Sequence, residues 1–150
     1  MIIREMETRE LDPVLILFEY YRQAADISEE RYDQDKVLKT IKEYCIRPNL
    51  FLRVAYIGLR PVGVIGGFLS EDPVDTEITA TIQFNYLIDE YATIENYQQL
   101  IEAFQESSQQ FKVEQIRAID IGNKINRLQS VYDQLGFNPV RVSIMNKEIA

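Results

Sequence analysis

Between Leu50 and Ile88 the chain reads as three strands in succession, with no helical period between them. Leu50 to Ile57 and Pro61 to Leu69 are rich in β-branched residues, and Gly58-Leu59-Arg60 joins them as a short hairpin connection. A loop at Glu71-Asp72-Pro73 precedes a longer strand, Glu77 to Ile88. There Ile78, Ala80, Ile82, Phe84 and Tyr86 alternate with Thr79, Thr81, Gln83 and Asn85. Strands this closely spaced pair antiparallel, because parallel pairing needs a crossover of about a dozen residues. An antiparallel meander therefore occupies the middle of the fold.

The flanks read as helices and strands in alternation. Met1 to Met6 is a short strand. Asp12-Pro13 marks a helix start, with Asp12 as cap and Pro13 in the first turn, followed by an apolar face of Val14, Leu17, Phe18, Tyr21 and Ala25. Asp33 or Asp35 opens a second helix with Leu38, Ile41 and Cys45 on one side, ending at Arg47-Pro48-Asn49. After the meander, Thr93 to Phe111 carries Ile94, Tyr97, Ile101, Phe104 and Phe111 on one stripe. Gln115 to Ile121 is a buried-type strand, and Lys124 to Leu135 is a helix with Ile125, Leu128, Tyr132 and Leu135 inward. Gly136 stands where a left-handed cap is wanted, and Asn138 to Ile149 closes as a strand. The order is β-α-α-β-β-β-α-β-α-β, a mixed α/β domain whose later part is a β-α-β crossover. No repeat or linker divides residues 1–150, so one domain is expected.

Composition removes several kinds of chemistry. The chain has no His and one Cys, so an internal disulfide, a Cys/His zinc site and an imidazole base are all excluded. Its net charge is −8, which argues against binding the nucleic-acid backbone. No apolar run reaches membrane-spanning length and no signal-like start is present, so a cytoplasmic setting is expected. The charge is not spread evenly. Residues 1–60 hold ten cations and eleven acids, and residues 112–150 hold six and four. Residues 61–111 hold nine acids and no Lys or Arg.

The element order and two local patterns resemble the GCN5-related N-acetyltransferase (GNAT) superfamily. One is the hairpin Val54-Ala55-Tyr56-Ile57-Gly58-Leu59-Arg60-Pro61-Val62-Gly63-Val64-Ile65-Gly66. The other is Ser130-Val131-Tyr132-Asp133-Gln134-Leu135-Gly136-Phe137, similar to the family's closing helix with Tyr and then Gly-Phe. The resemblance covers essentially the whole chain. It implies acetyl-coenzyme A as cofactor, no metal, and transfer of an acyl group to an amine by direct attack on the thioester. It implies Tyr132 as the acid that protonates the departing thiolate. By position along the strands, Glu77 or Asp120 is the candidate base. Leu87, Ile88, Ala92, Thr93, Glu95, Tyr97 and Asn126 fall where the cofactor is held.

The chain departs from the family where the pyrophosphate should sit. The family pattern is Arg/Gln-x-x-Gly-x-Gly/Ala, running into a helix start whose free N–H groups and dipole hold an anion. Here Ala92 takes the first position, and Glu95 and Tyr97 take the two glycine positions. Asparagine, usual seven residues before the tyrosine, is replaced by Ile125, with Asn123 and Asn126 on either side.

Each candidate also has a plain structural reading. Tyr132 lies on an apolar stripe and reads equally as a core tyrosine. Glu77 reads as a loop-edge carboxylate, Asp120 as a turn-bonding group, and Cys45 as a buried, inert thiol. Glu95 in a first helical turn is favoured by the dipole by ~0.3–1 kcal/mol with no ligand at all. Two functional classes follow. One is a divergent N-acetyltransferase acting on a cationic amine or a basic protein segment. The other is a catalytically inactive pseudo-acetyltransferase that binds a protein partner or itself.

Overall fold

The computed structural model describes residues 1–119, 126–140 and 145–149. The strands are β1 (Ile2–Arg4), β2 (Leu50–Ile57), β3 (Arg60–Glu71), β4 (Ile78–Leu87) and β5 (Gln115–Ala118). The helices are α1 (Leu11–Ala24), α2 (Gln34–Ile46), α3 (Ile94–Gln109) and α4 (Asn126–Gln134). The five strands form one sheet in the order β1-β2-β3-β4-β5, antiparallel except for the parallel pair β4–β5. Helices α1 and α2 pack on one face, and α3 and α4 on the other.

The expected α/β order holds over the described residues. The centre of the expected closing strand, 141–144, lies outside them, and its flanks 138–140 and 145–149 carry no strand. The first strand is shorter than Met1–Met6. After Arg4 the chain turns into a 3-10 turn, Thr8–Glu10, and Glu10 accepts two hydrogen bonds from the Arg4 guanidinium at 2.9 and 2.8 Å. Arg4 also lies over the Tyr56 ring, 4.0 Å from its centroid. The start of α1 lies two residues before the expected one. Glu10 is its cap position, and Asp12 and Pro13 sit in its first turn.

Helix α2 opens as expected at Asp33, whose carboxylate accepts from the Lys36 N–H at 3.1 Å. Its inward face is Val37, Ile41 and Tyr44 rather than Leu38, Ile41 and Cys45. Both sets contain Ile41 at helical spacing, so periodicity alone does not choose between them. Cys45 is consequently exposed, which corrects the expected buried thiol.

The larger correction is in β4. Gly66 pairs with Phe84 and Gly67 with Ile82, so Gln83 is an extra, unpaired residue, a β-bulge. The bulge reverses the alternation. Ala80 and Ile82 face α3, whereas Phe84 and Tyr86 face α1 and α2, and Asn85 and Leu87 take over the α3 side. Gly66-Gly67 makes this possible. A Cβ on Gly67 would lie 1.9 Å from the Thr81 carbonyl oxygen, and one on Gly66 would lie 2.2 Å from the Phe84 ring. Tyr44 donates a hydrogen bond to Gln83 Oε1, tying the bulge to α2.

Candidate functional site

The bulge also decides where the sheet parts. The β4–β5 ladder covers Thr79 to Ile82 against Gln115 to Ala118, with a last bond from the Ile119 N–H to the Ile82 oxygen at 3.4 Å. Beyond Gln83, β4 runs on to Leu87 with β3 as its only strand partner among the described residues. Its other edge faces α3 and α4. Two phenols enter that gap. Tyr97, from the first turns of α3, is 4% exposed, and Tyr132, from α4, is 9% exposed.

Each phenol meets a polar group of β4. The Leu87 N–H donates to the Tyr97 hydroxyl at 3.4 Å, at the long end for such a bond. The Asn85 side-chain amide donates to the Tyr132 hydroxyl at 3.2 Å. Asn85 is 4% exposed, and its Oδ1 has no hydrogen-bond partner among the described residues. Gly136, at φ +87°, ends the turn after α4, and the Phe137 ring then packs edge-on to Tyr132 at 5.0 Å between centroids. The Tyr-to-Gly-Phe pattern thus serves to fix the Tyr132 ring in the gap.

The entrance to α3 is a second part of the site. A 3-10 turn, Asp89–Tyr91, leads to Thr93, which caps α3 by accepting from the Asn96 N–H at 3.2 Å. Asn96 in turn donates its side-chain amide to the Tyr91 carbonyl at 2.8 Å. These bonds take up several of the N–H groups around the helix start, though not those of Ile94 and Glu95, for which the described residues supply no acceptor. The N–H groups of Tyr91, Ala92, Thr93 and Tyr97 go to the carbonyls of Ile88, Asp89, Tyr91 and Thr93, and that of Asn96 to the Thr93 hydroxyl. The Ile88 N–H is also taken, by the Val62 oxygen at 3.0 Å. Glu95 adds a carboxylate in the first turn. Arg60, on the β2–β3 hairpin, reaches this corner, where it pairs with Glu90 at 3.6 Å.

These residues do not fit a coenzyme A pyrophosphate and pantetheine arm. The helix start places a carboxylate where a phosphate would sit, and the N–H groups of Ala92, Thr93, Asn96 and Tyr97 are bonded within the chain. Tyr97 fills the gap beside Leu87. Like charges about 4 Å apart repel by ~1 kcal/mol in water and ~4 kcal/mol at a half-buried site, so Glu95 alone opposes a polyanion.

The structure brings Leu87, Tyr97 and Tyr132 together, with Ala92, Thr93 and Glu95 at the adjoining helix start. It does not bring Glu77 to them. Glu77 precedes the first residue of β4, eight residues before Asn85, which is roughly 26 Å along a strand. Its N–H bonds Asp75 in the turn at 2.7 Å. Asp120 lies outside the described residues. Asn126 begins α4, with its side chain outside them too. Asn85 and Gln83 are site residues not expected from the sequence, and the Gly66-Gly67 pair, opposite Phe84 and Ile82 on either side of Gln83, was the available signal. Among the described residues no group of three Asp, Glu, Cys or His could hold a metal, and no helix is long and apolar enough to cross a membrane.

No protein-family model and no curated protein sequence matches this chain. Its fold does match solved structures. Aminoglycoside N-acetyltransferase AAC(6')-Iy in complex with CoA superposes with a TM-score of 0.81 at 18% identity, over 99% of this chain and 95% of that one. AAC(6')-IG from Acinetobacter haemolyticus, an aminoglycoside 6'-N-acetyltransferase, gives 0.79 at 14%, over 100% of both chains. Ribosomal-protein-alanine N-acetyltransferase from Brucella melitensis biovar Abortus 2308 gives 0.78 at 13%, over 99% and 100%. The element order and the likeness to these acetyltransferases together show that the chain has the GNAT fold.

Proposed function

We propose that this chain is a pseudo-acetyltransferase, a GNAT-fold domain that acts by binding a protein partner and carries out no acyl transfer. The observation that carries this reading is the start of α3, where Thr93, Tyr91 and Asn96 bond one another and Glu95 stands in the first turn. The cap takes up the Asn96 N–H from within the chain, and the Glu95 carboxylate already occupies the field of the helix start that would favour an anion. The nine acids of residues 61–111, unaccompanied by any Lys or Arg, support the same conclusion.

A second reading, a divergent N-acetyltransferase for a cationic amine or a basic protein segment, is favoured by one observation. The Tyr132 hydroxyl lies in the gap beside β4, held by Asn85, where a proton donor would be wanted. The acidic surface would suit a cationic acceptor.

The test is incubation of the pure chain with acetyl-coenzyme A and polyamine or lysine-rich acceptors, followed by mass spectrometry of the acceptors. The pseudo-acetyltransferase reading expects acetylation no faster than the protein-free control. Acetylation that requires the protein and is lost in Tyr132→Phe would establish the second reading in its place.

A further inference from the structure

We infer that Tyr97 is the resident ligand of its own sheet, a side chain that closes the gap beside β4 and completes the hydrogen bonding of that edge. The inference deepens the reading of the cleft as closed and rests on it. Among the described residues the β4–β5 ladder ends at Ile82, and a buried backbone N–H beyond it needs a partner, because one left unpaired is costly. The Leu87 N–H is such a group, in a residue 1% exposed, and the Tyr97 hydroxyl is what it meets.

The position of Tyr97 is held rather than incidental. Thr93 caps α3 and Asn96 bonds back to the Tyr91 carbonyl, so the first turn is fixed on both sides. The next residue, Tyr97, then drops its ring into the core cluster with Leu100, Ile101 and Leu87. A small residue at this point would leave a void the size of a phenol, open to the N–H of Leu87. The Tyr132 hydroxyl meets a different group of β4, the Asn85 side-chain amide, about 7 Å away along the strand. The gap is therefore divided between two phenols with separate β4 partners.

Two variants test this. Tyr97→Phe keeps the ring and removes the acceptor. Hydrogen exchange at the Leu87 amide should quicken roughly tenfold to a hundredfold, while that of Ala80 in the doubly paired half of β4 changes little. Tyr97→Gly removes the ring. Millimolar p-cresol should raise its melting temperature saturably and leave that of the wild type unmoved. Unchanged Leu87 exchange in Tyr97→Phe would overturn the inference, and so would a folded Tyr97→Gly that ignores p-cresol. If Tyr97→Gly fails to fold, the Tyr97→Phe exchange result decides. Acyl transfer by the wild type would sink the functional reading and leave both of these outcomes standing.

Discussion

The two halves of β4 solve the same problem by different means. From Ile78 to Ile82 the strand has a neighbour on each side, β3 and β5, and its inward residues Ala80 and Ile82 pack beneath α3. From Phe84 to Leu87 it keeps β3 but has no second strand partner among the described residues, and its side chains exchange faces. The first half is satisfied by a backbone ladder and the second by side chains from two helices. In this chain the bulge at Gln83 sets the change of face in the backbone, while a few side chains fill the space beside the second half.

The largest effect should come from the ladder half. Phe104 is fully buried and lies edge-on to Phe51 at 5.9 Å between centroids. Phe104→Ala should cost ~3–5 kcal/mol in chemical denaturation. A loss below ~1 kcal/mol would mean that this half is not the tightly packed one. Gly67→Ala attacks the boundary between the halves, because the added Cβ meets the Thr81 carbonyl at 1.9 Å. A loss of ~3 kcal/mol is expected, with a shifted β3–β4 register in amide spectra. An unchanged register would show that the bulge does not depend on the glycine pair.

Smaller effects are expected in the open half. Tyr132→Phe removes the hydroxyl that Asn85 donates to and should cost ~1–2 kcal/mol. Combined with Asn85→Ala, the loss should be less than additive, since the two groups share one bond. Strict additivity would separate them.

A control far from both halves sharpens the contrast. The Arg4 guanidinium, hydrogen-bonded to Glu10, holds that carboxyl at about 2 against an ordinary 4.5. A depressed carboxyl contributes stability that is present above the unfolded value and is lost as pH falls through the folded one. The melting temperature should therefore decline from pH 4.5 towards 2, and Glu10→Gln should remove that part of the slope while leaving the Leu87 exchange rate unchanged.

Much of the architecture was legible because it is written in local chemistry. Asp33 as a cap, Gly58 (φ +60°) at the hairpin turn and Gly136 at the helix end each act within a few residues of themselves. The bulge was not legible from β4, because an extra residue leaves both flanking alternations intact and only reverses their faces. Its trace lay in the partner strand, in Gly66-Gly67. The same reversal hid Asn85, which stood in one alternating set with Thr79, Thr81 and Gln83, and Glu77 lies at the far end of the strand. Tyr97 was visible as a large residue at a glycine position, but its partner on β4 could be named only once Leu87 had turned to the α3 side.

The central claim is that the gap beside β4 is filled from within, and thermal melting of the wild-type chain in acetyl-coenzyme A tests it most directly. A site of micromolar affinity at millimolar ligand would add ~4 kcal/mol, which is roughly 8–16 °C for a chain of this size. The closed cleft predicts no shift at that concentration. A saturable rise of that order would contradict it and return acetyl-coenzyme A to the cleft.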